Sequence, residues 1–211
     1  MTDHQAPGPI RFYLDFASPY AYAVHRDLEA LAERHGRALE WRPILVWAVL
    51  KALGVPPPLE SEAKRRYLLA DMARSAAFHG LPYREPVRLP LSTHLAARIF
   101  HACHEVDPVA AKAFGRSVFR AFFAEGLDIA DEAVLLSLAG EQGLAPDFVR
   151  DAMTGAEGKA RLARAVEAAL ADGVVGSPFV LLDGEGFFGA DRLPQIAWRL
   201  DRPHQQERSA P

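Results

Sequence analysis

The 211-residue sequence contains a single cysteine, Cys103. One cysteine can form no intrachain disulfide, no Cys-x-x-Cys redox pair and no thiolate-rich metal site. Disulfide exchange between two cysteines of the chain is therefore excluded. Because a lone cysteine usually behaves as a small hydrophobic side chain, we expect Cys103 to be a buried core residue rather than a nucleophile.

The sequence also lacks a strong charge imbalance and a long hydrophobic run. Its 24 Lys and Arg residues against 27 Asp and Glu residues give a formal net charge of -3. Nucleic-acid-binding proteins usually concentrate basic residues on one face, so we expect no nucleic-acid partner. The sequence has no stretch of about 18 apolar residues and no basic segment followed by an apolar run at its start, so we expect no membrane association and a cytoplasmic location.

The first fifty residues follow a strand, helix, strand pattern. Ile10 to Phe16 alternates and is rich in β-forming residues, which predicts a strand. Ser18 and Pro19 are typical of a helix N-cap and first helical position, and the apolar spacing extends that helix to His35. Leu39 to Pro43 predicts a second strand, so this region forms a βαβ unit.

The remainder divides into a helical middle and a second group of strands. Three consecutive prolines at 56–58 are incompatible with a helix interior and mark a boundary. From Ser61 to about Ala171, Ala, Leu, Arg and Glu recur at helical spacing. The elements predicted after this region are a strand at 179–182, a turn at 183–186, a strand at 187–188 and a helix at 193–200.

This order of elements, βαβ, then helices, then ββα, is the plan of a thioredoxin fold with helices inserted between its two halves. We therefore predict an α/β, thioredoxin-like fold with a large inserted all-helical domain. The predicted boundaries are 8–55 plus 172–203 for the thioredoxin-like domain, 56–171 for the inserted domain and 204–211 for a C-terminal tail.

Ser18-Pro19-Tyr20-Ala21 lies at the junction where thioredoxin-fold oxidoreductases carry Cys-Pro-x-Cys. The helix N-terminus at this junction supplies N–H groups and a dipole that stabilise a thiolate. Here both sulfur positions, Ser18 and Ala21, lack sulfur. The pattern therefore suits a thiolate from another molecule, with the Ser18 hydroxyl donating to its sulfur. The alternative is that Ser18 only caps the helix.

Two segments near the C-terminus occupy corresponding positions of the same plan. Pro178 precedes a strand at the place where thioredoxin folds have a cis-proline, and Ser177 would then pair through its main chain with a cysteinyl group. Asp191 lies beside the N-terminus of the last helix, which suits the ammonium and carboxylate of a γ-glutamyl group. Taken singly, Ser177-Pro178 also fits a plain turn and Asp191 also fits a helix N-cap.

Together these segments resemble the 2-hydroxychromene-2-carboxylate isomerases and the related kappa-class glutathione transferases of the DsbA-like thioredoxin superfamily. The resemblance covers 10–200 and rests on YLDFASPYAY (13–22), WRPIL (41–45) with Lys51, AKRRYLLADMAR (63–74) and GVVGSPFVLLDGEGFFGADRL (173–193). It implies a glutathione-dependent isomerase, usually a homodimer, that acts on 2-hydroxychromene-2-carboxylate or a similar small aromatic substrate.

The resemblance also implies roles for individual residues. Ser18 would be the catalytic residue that contacts the glutathione sulfur. The residues implied to bind glutathione are Ser177, Pro178, Ala190, Asp191 and Lys64, and those implied to bind the substrate are Lys51 and Tyr20. One departure is Val55, which follows Gly54 where the family often has Asn, so an amide contact to the ligand is missing.

Two other functions are compatible with these residues. A kappa-class-like glutathione transferase would use the same cofactor but consume it by conjugation to an electrophile. A non-catalytic thioredoxin-like binding module would have lost its cysteines together with its activity. A metal site is not expected, because His94, His101 and His104 lie near Cys103 without an accompanying carboxylate–histidine motif.

Overall fold

A computed structural model of the protein describes residues 8–56, 61–86 and 88–202. Its strands and helices are β1 Ile10–Leu14, α1 Pro19–Arg34, β2 Leu39–Pro43, α2 Val46–Ala52, α3 Glu62–Phe78, α4 His94–Val106, α5 Pro108–Arg120, α6 Glu132–Gly140, α7 Pro146–Thr154, α8 Ala156–Ala171, β3 Phe179–Leu182, β4 Glu185–Phe188 and α9 Leu193–Leu200. A π-helical turn at 121–125 extends α5, and a 3₁₀ turn at 190–192 precedes α9. No helix in these ranges is both long and apolar enough to cross a membrane. Pro57, Pro58 and the tail predicted at 204–211 lie outside the described residues.

The four strands form one mixed sheet in the order β2-β1-β3-β4. β1 and β2 are parallel, with Ile10 opposite Leu39, as the helical crossover α1 between them requires. β3 is antiparallel to both β1 and β4. Helices α3 to α8 lie in the chain between the two halves of the sheet. The predicted thioredoxin-like fold with inserted helices is therefore confirmed.

Two predicted boundaries were wrong by two residues. β1 ends at Leu14 rather than Phe16, because the Asp15 N–H donates to the Ser177 hydroxyl oxygen instead of a strand partner. The turn predicted at 183–186 contains only 183–184, and β4 begins at Glu185. Asp183 and Gly184 have φ angles of 51° and 86°. Positive φ at both central residues is typical of the two-residue turn that connects antiparallel strands.

The inserted helices and the sheet share one hydrophobic core. Trp41 of β2 meets Phe12 of β1 edge to face and stacks on Phe100 of α4, with ring centroids 5.7 and 6.4 Å apart. α5 approaches the same indole closely, since a Cβ on Gly115 would lie 3.0 Å from the Trp41 ring. This shared packing fixes α4 and α5 against the strands that carry the site described below.

The histidines near Cys103 do not converge. Cys103 is fully buried, as predicted. His101 donates through Nε2 to the Pro43 carbonyl at 2.7 Å, whereas the His94 ring contacts the hydroxyl of a neighbouring loop serine. Across the described ranges, no three His, Cys, Asp or Glu side chains form a group that would hold a metal ion.

The buried imidazoles of His25 and His101 predict a loss of stability in acid. Burial lowers the pKa of both rings below the ordinary value of 6.5. The unfolded chain therefore binds these protons more readily, so their contribution to stability is complete above pH 6.5 and falls as the pH drops below it. We expect the free energy of unfolding, measured by urea titration, to decrease from about pH 7 to about pH 5.

A matched variant isolates one of these rings. His101→Gln keeps an amide donor for the Pro43 carbonyl but removes the titrating group. Its unfolding free energy should depend less steeply on pH than that of the wild type over the same range. An unchanged pH dependence in this variant would show that His101 does not contribute.

Candidate functional site

Ser18 lies at the start of α1, and its hydroxyl makes two hydrogen bonds. Its Oγ accepts from the Ala21 N–H at 3.2 Å and donates to the Ser177 carbonyl at 3.0 Å. The residue is 8% exposed and lines a cavity. Ser18 is therefore both a helix cap and a cavity residue, so the two sequence interpretations of this serine are compatible.

The cavity beside Ser18 has a volume of about 490 Å³. Its wall combines the start of α1, parts of α2 and α3, the loop before α4 and the segment 175–177. Most of the lining side chains are apolar, among them Trp47, Leu50, Leu68, Met72 and Phe188. Among the described residues that line it, the charged side chains are Asp15 and Lys64. The cavity thus offers a mainly apolar wall with one polar corner at the start of α1.

Ser177 lies in this polar corner and precedes a cis peptide bond to Pro178, as the sequence predicted. The Ser177 Oγ accepts from the Asp15 N–H at 2.8 Å, and the Pro178 carbonyl accepts from the Gly189 N–H at 3.0 Å. Both sides of the 177–178 peptide are therefore held by hydrogen bonds. A second cis peptide, Leu89–Pro90, also lines the cavity and was not anticipated from the sequence.

Tyr20 and Lys64 bring α1 and α3 together at the cavity wall. The Tyr20 hydroxyl donates to Asp71 Oδ2 on α3 at 2.7 Å. Burial and this carboxylate raise the pKa of Tyr20, so its hydroxyl stays protonated. The same hydrogen bond, with help from Arg74, lowers the pKa of Asp71. Tyr20 is thereby fixed to the helix that carries Lys64.

Other residues predicted from the sequence lie outside the cavity lining. Lys51 is exposed at the end of α2. Ala190 and Asp191 are in the 3₁₀ turn after β4, two to three residues beyond the cavity residue Phe188. Asp191 is exposed and pairs with its neighbour Arg192 at 3.0 Å. The structure brings Ser18, Ser177, Tyr20 and Lys64 to one cavity, and the ligand contacts assigned to all of the predicted site residues stay predictions.

Asp15 is a cavity residue that the sequence analysis did not single out. Its Oδ1 accepts from the Ala17 N–H and the Thr93 hydroxyl, both at 2.9 Å, and its Oδ2 accepts from the Val46 N–H at 2.9 Å. Its own N–H donates to Ser177. One side chain therefore joins the start of α1, the start of α2 and the loop before α4, and its backbone adds the segment before Pro178.

The Asp15 carboxyl is an unusual group because it is only 2% exposed. Among the residues that the structure describes, no Lys, Arg or His forms an ion pair with it. Burial raises its pKa above the ordinary value of 3.8, and the three donated hydrogen bonds act in the opposite direction. Its position, three residues before Ser18 at the end of an apolar strand, was the available sequence signal.

Comparison with known proteins identifies the family of this chain. The sequence pattern of the family described as DSBA-like thioredoxin domain matches residues 9–201. A protein of Sphingobium xenophagum named 2-hydroxychromene-2-carboxylate isomerase is 30% identical over 186 residues, covering 87% of this chain and 93% of that relative. The chain belongs to this family of DsbA-like thioredoxin proteins. The resemblance inferred from the sequence motifs is thereby confirmed.

Further relatives of the family carry two kinds of name. Glutathione s-transferase kappa 2 of Caenorhabditis elegans is 26% identical over 207 residues, covering 92% of each chain. A solved structure of a 2-hydroxychromene-2-carboxylate isomerase matches with a TM-score of 0.81 and 24% identity, over 91% of this chain and 94% of that chain. At this identity the structural match supports the fold of the family rather than an activity.

Proposed function

We propose that this protein is a glutathione-dependent isomerase acting on 2-hydroxychromene-2-carboxylate or a similar intermediate of aromatic catabolism. The observation that carries the proposal is the Ser18 hydroxyl at the start of α1, 3.0 Å from the Ser177 carbonyl and on the wall of a 490 Å³ cavity. A relative named as such an isomerase spans almost the whole chain. Cys103 is buried away from this cavity, so the reacting sulfur must come from another molecule.

The main chain around the polar corner fits a glutathione cysteinyl group. Within the described ranges, the N–H of Ser177 has no hydrogen-bond acceptor, and neither has the N–H of Tyr20 in the first turn of α1. The first of these donors suits the cysteinyl carbonyl. The second points from a helix N-terminus, where a negatively charged sulfur is favoured. Both residues line the cavity, so the chain presents main-chain groups that match the proposed cofactor.

Bound glutathione would supply a thiolate that adds reversibly to a double bond conjugated with a carbonyl and is expelled after isomerisation. Ser18 would hold that sulfur through its hydroxyl, and Ser177 would orient the cysteinyl backbone. Ala190, Asp191 and Lys64 would hold the ends of the tripeptide. Tyr20 and Lys51 are assigned to the substrate, and the apolar wall around Trp47 would exclude water from the reacting atoms.

The energetic demand on Ser18 is small. The pKa of a free thiol is about 8.5. Lowering this pKa by one unit corresponds to about 1.4 kcal/mol of preference for the thiolate. One charge-assisted hydrogen bond contributes about 1.5–3 kcal/mol. The Ser18 hydroxyl, aided by the N-terminus of α1, would therefore be sufficient to lower the pKa of a bound thiol by about one unit.

A second candidate function is glutathione conjugation, as in the kappa-class transferases. The feature that favours it is the apolar cavity wall, which includes Val55 and would accept electrophiles of varied shape. Mass spectrometry separates the two functions. An isomerase leaves the mass of its product equal to that of its substrate and regenerates glutathione, whereas a transferase yields a glutathione adduct.

Glutathione is expected to stabilise the folded protein. At a concentration one hundred times its Kd, a ligand adds about 2.7 kcal/mol, which corresponds to a rise in Tm of about 5–10 °C for a chain of this size. Differential scanning calorimetry over a range of glutathione concentrations measures the effect. A γ-glutamyl-glycine dipeptide, which lacks the cysteinyl residue, is the control. An unchanged Tm at millimolar glutathione would contradict both enzyme functions and favour a non-catalytic binding module.

A further inference from the structure

The Asp15 carboxyl has an unused acceptor position. Each oxygen of a carboxylate accepts up to two hydrogen bonds. Oδ1 accepts two, from the Ala17 N–H and the Thr93 hydroxyl, whereas from the described residues Oδ2 accepts one, that of the Val46 N–H. A proton on Oδ2 would displace none of these donors. The carboxyl therefore keeps the same three hydrogen bonds in its ionised and in its neutral form.

The surroundings of this carboxyl offer little compensation for a second negative charge. Asp15 is 2% exposed and lines the same cavity as Ser18. In the described part of the chain, the other titratable side chains of the lining are Tyr20 of α1, whose hydroxyl stays protonated, and Lys64 of α3. The lining residues of α2, of the loop before α4 and of the segment 175–177 carry no charge. One lysine therefore serves any anion bound beside Asp15.

A thiolate at Ser18 would place a second anion near Asp15 if the thiol proton left to solvent. Two like charges in a poorly solvated site raise the pKa of each other, so that one of the two groups retains a proton. The start of α1 favours the sulfur as the anion. Burial already raises the pKa of the Asp15 carboxyl. Of the two groups, the carboxyl is therefore the one that holds the proton.

Resting on the proposed function, we propose that Asp15 accepts the thiol proton of bound glutathione and keeps it while the sulfur is an anion. The S–H bond breaks, an O–H bond forms at Asp15 Oδ2, and the negative charge passes from the carboxylate to the sulfur. The total charge of the site is unchanged. The proton returns to the sulfur when glutathione leaves. Asp15 thus takes part in the chemistry in addition to holding the start of α1.

The wild-type protein should form the thiolate without releasing a proton to solvent. Isothermal titration with glutathione in phosphate and in Tris, two buffers of different ionisation enthalpy, measures the number of protons released near neutral pH. Ultraviolet absorbance of the complex measures the thiolate. Ophthalmate, a tripeptide with a methyl group in place of the thiol, gives the baseline for protons exchanged by other groups. We expect a thiolate band with no proton released beyond that baseline.

Asp15→Asn has a similar shape but no site for this proton. Its bound thiol can ionise only by releasing the proton to solvent, so we expect about one proton per thiolate formed. The matched control is Asp107→Asn, because the Asp107 carboxyl also accepts from two backbone N–H groups, those of Val109 and Ala110, but lies outside the cavity lining. This control should behave as the wild type.

The outcomes separate the proton transfer from the proposed function. Release of one proton per thiolate by the wild type would overturn the transfer, and so would binding of glutathione without a thiolate band. Thiolate formation without proton release in Asp15→Asn would also overturn it, because another group would then be the acceptor. Loss of the thiolate band in Asp15→Asn alone would support it.

A purely positioning role of Asp15 is distinguishable as well. It would weaken the affinity of Asp15→Asn for glutathione, but the wild-type protein would still release its proton to solvent. An absence of binding heat with glutathione in the wild type would instead contradict the proposed function.

Discussion

Ser18→Ala should lower kcat/KM for isomerisation by on the order of 10²-fold, as commonly follows removal of one donor that stabilises a developing anion. The hydroxyl is buried, lies at the start of α1 and lines the cavity. A buried donor interacts with an anion more strongly than an exposed one, because less water screens it. No other side-chain hydroxyl in the described part of the chain occupies this position at the helix N-terminus.

The fold should survive this substitution. Ser18 caps α1 by accepting from the Ala21 N–H, and loss of such a cap costs about 1 kcal/mol. For a chain of this size that corresponds to a Tm lower by about 2–4 °C. Steady-state kinetics at saturating glutathione, together with a thermal unfolding curve, separate the catalytic loss from the structural one.

The matched control for the kinetics is Ser117→Ala, because Ser117 is a buried serine in α5 whose hydroxyl donates to the Phe114 carbonyl. Its kcat/KM should stay close to that of the wild type. Turnover near the wild-type level in Ser18→Ala would refute the role assigned to the hydroxyl. Recovery of activity in Ser18→Thr, which restores a hydroxyl at the same position, would support it.

The two ends of the fold were predictable from the sequence because local signals fix them. Pro19 after a capping serine sets the start of α1, and the two-residue turn at 183–184 sets the register of β3 and β4. Such signals depend on backbone conformations that few residues can adopt. The prediction that Ser18 and Ser177 contribute to one site followed from placing Ser18-Pro19 and Ser177-Pro178 at corresponding positions of one fold.

The contacts between the inserted helical region and the site could not be predicted from the sequence. Thr93 meets Asp15 across 78 positions of the chain, and Tyr20 meets Asp71 across 51. No regular spacing in the sequence predicts either contact, because each depends on how the helices of the insert pack against the sheet. The core formed by Trp41 and Phe100 sets that packing. Residues such as Asp15 are therefore recognised only when the tertiary contacts are known.

Asp15→Ala should lower the free energy of unfolding by about 2–4 kcal/mol, with a fall in Tm of about 5–15 °C. The substitution leaves three donors without their acceptor: the N–H groups of Ala17 and Val46 and the hydroxyl of Thr93. An unsatisfied buried donor costs about 1–3 kcal/mol. Burial raises the pKa of the Asp15 carboxyl, because a buried charge is unfavourable. Removal of this carboxyl therefore offsets part of that cost.

Two further substitutions test whether the loss comes from these hydrogen bonds. Asp15→Asn keeps the acceptor for Ala17 and Thr93 but turns an amide group toward the Val46 N–H, so its loss of stability should be smaller than that of Asp15→Ala. Thr93→Val removes a single bond and should cost about 1 kcal/mol. Urea unfolding of the three variants should give this order of stability losses, with Asp15→Ala the largest.

The same variants separate a positioning role from a purely structural one. If Asp15 only stabilises the fold, Asp15→Asn well below its Tm should bind glutathione with the wild-type Kd. Because Asp15 also fixes the start of α1 and the segment before Pro178, we expect a weaker Kd for glutathione in this variant at a temperature where it is fully folded. An unchanged Kd combined with an unchanged Tm in Asp15→Asn would show that the three hydrogen bonds to this carboxylate do not hold the site together.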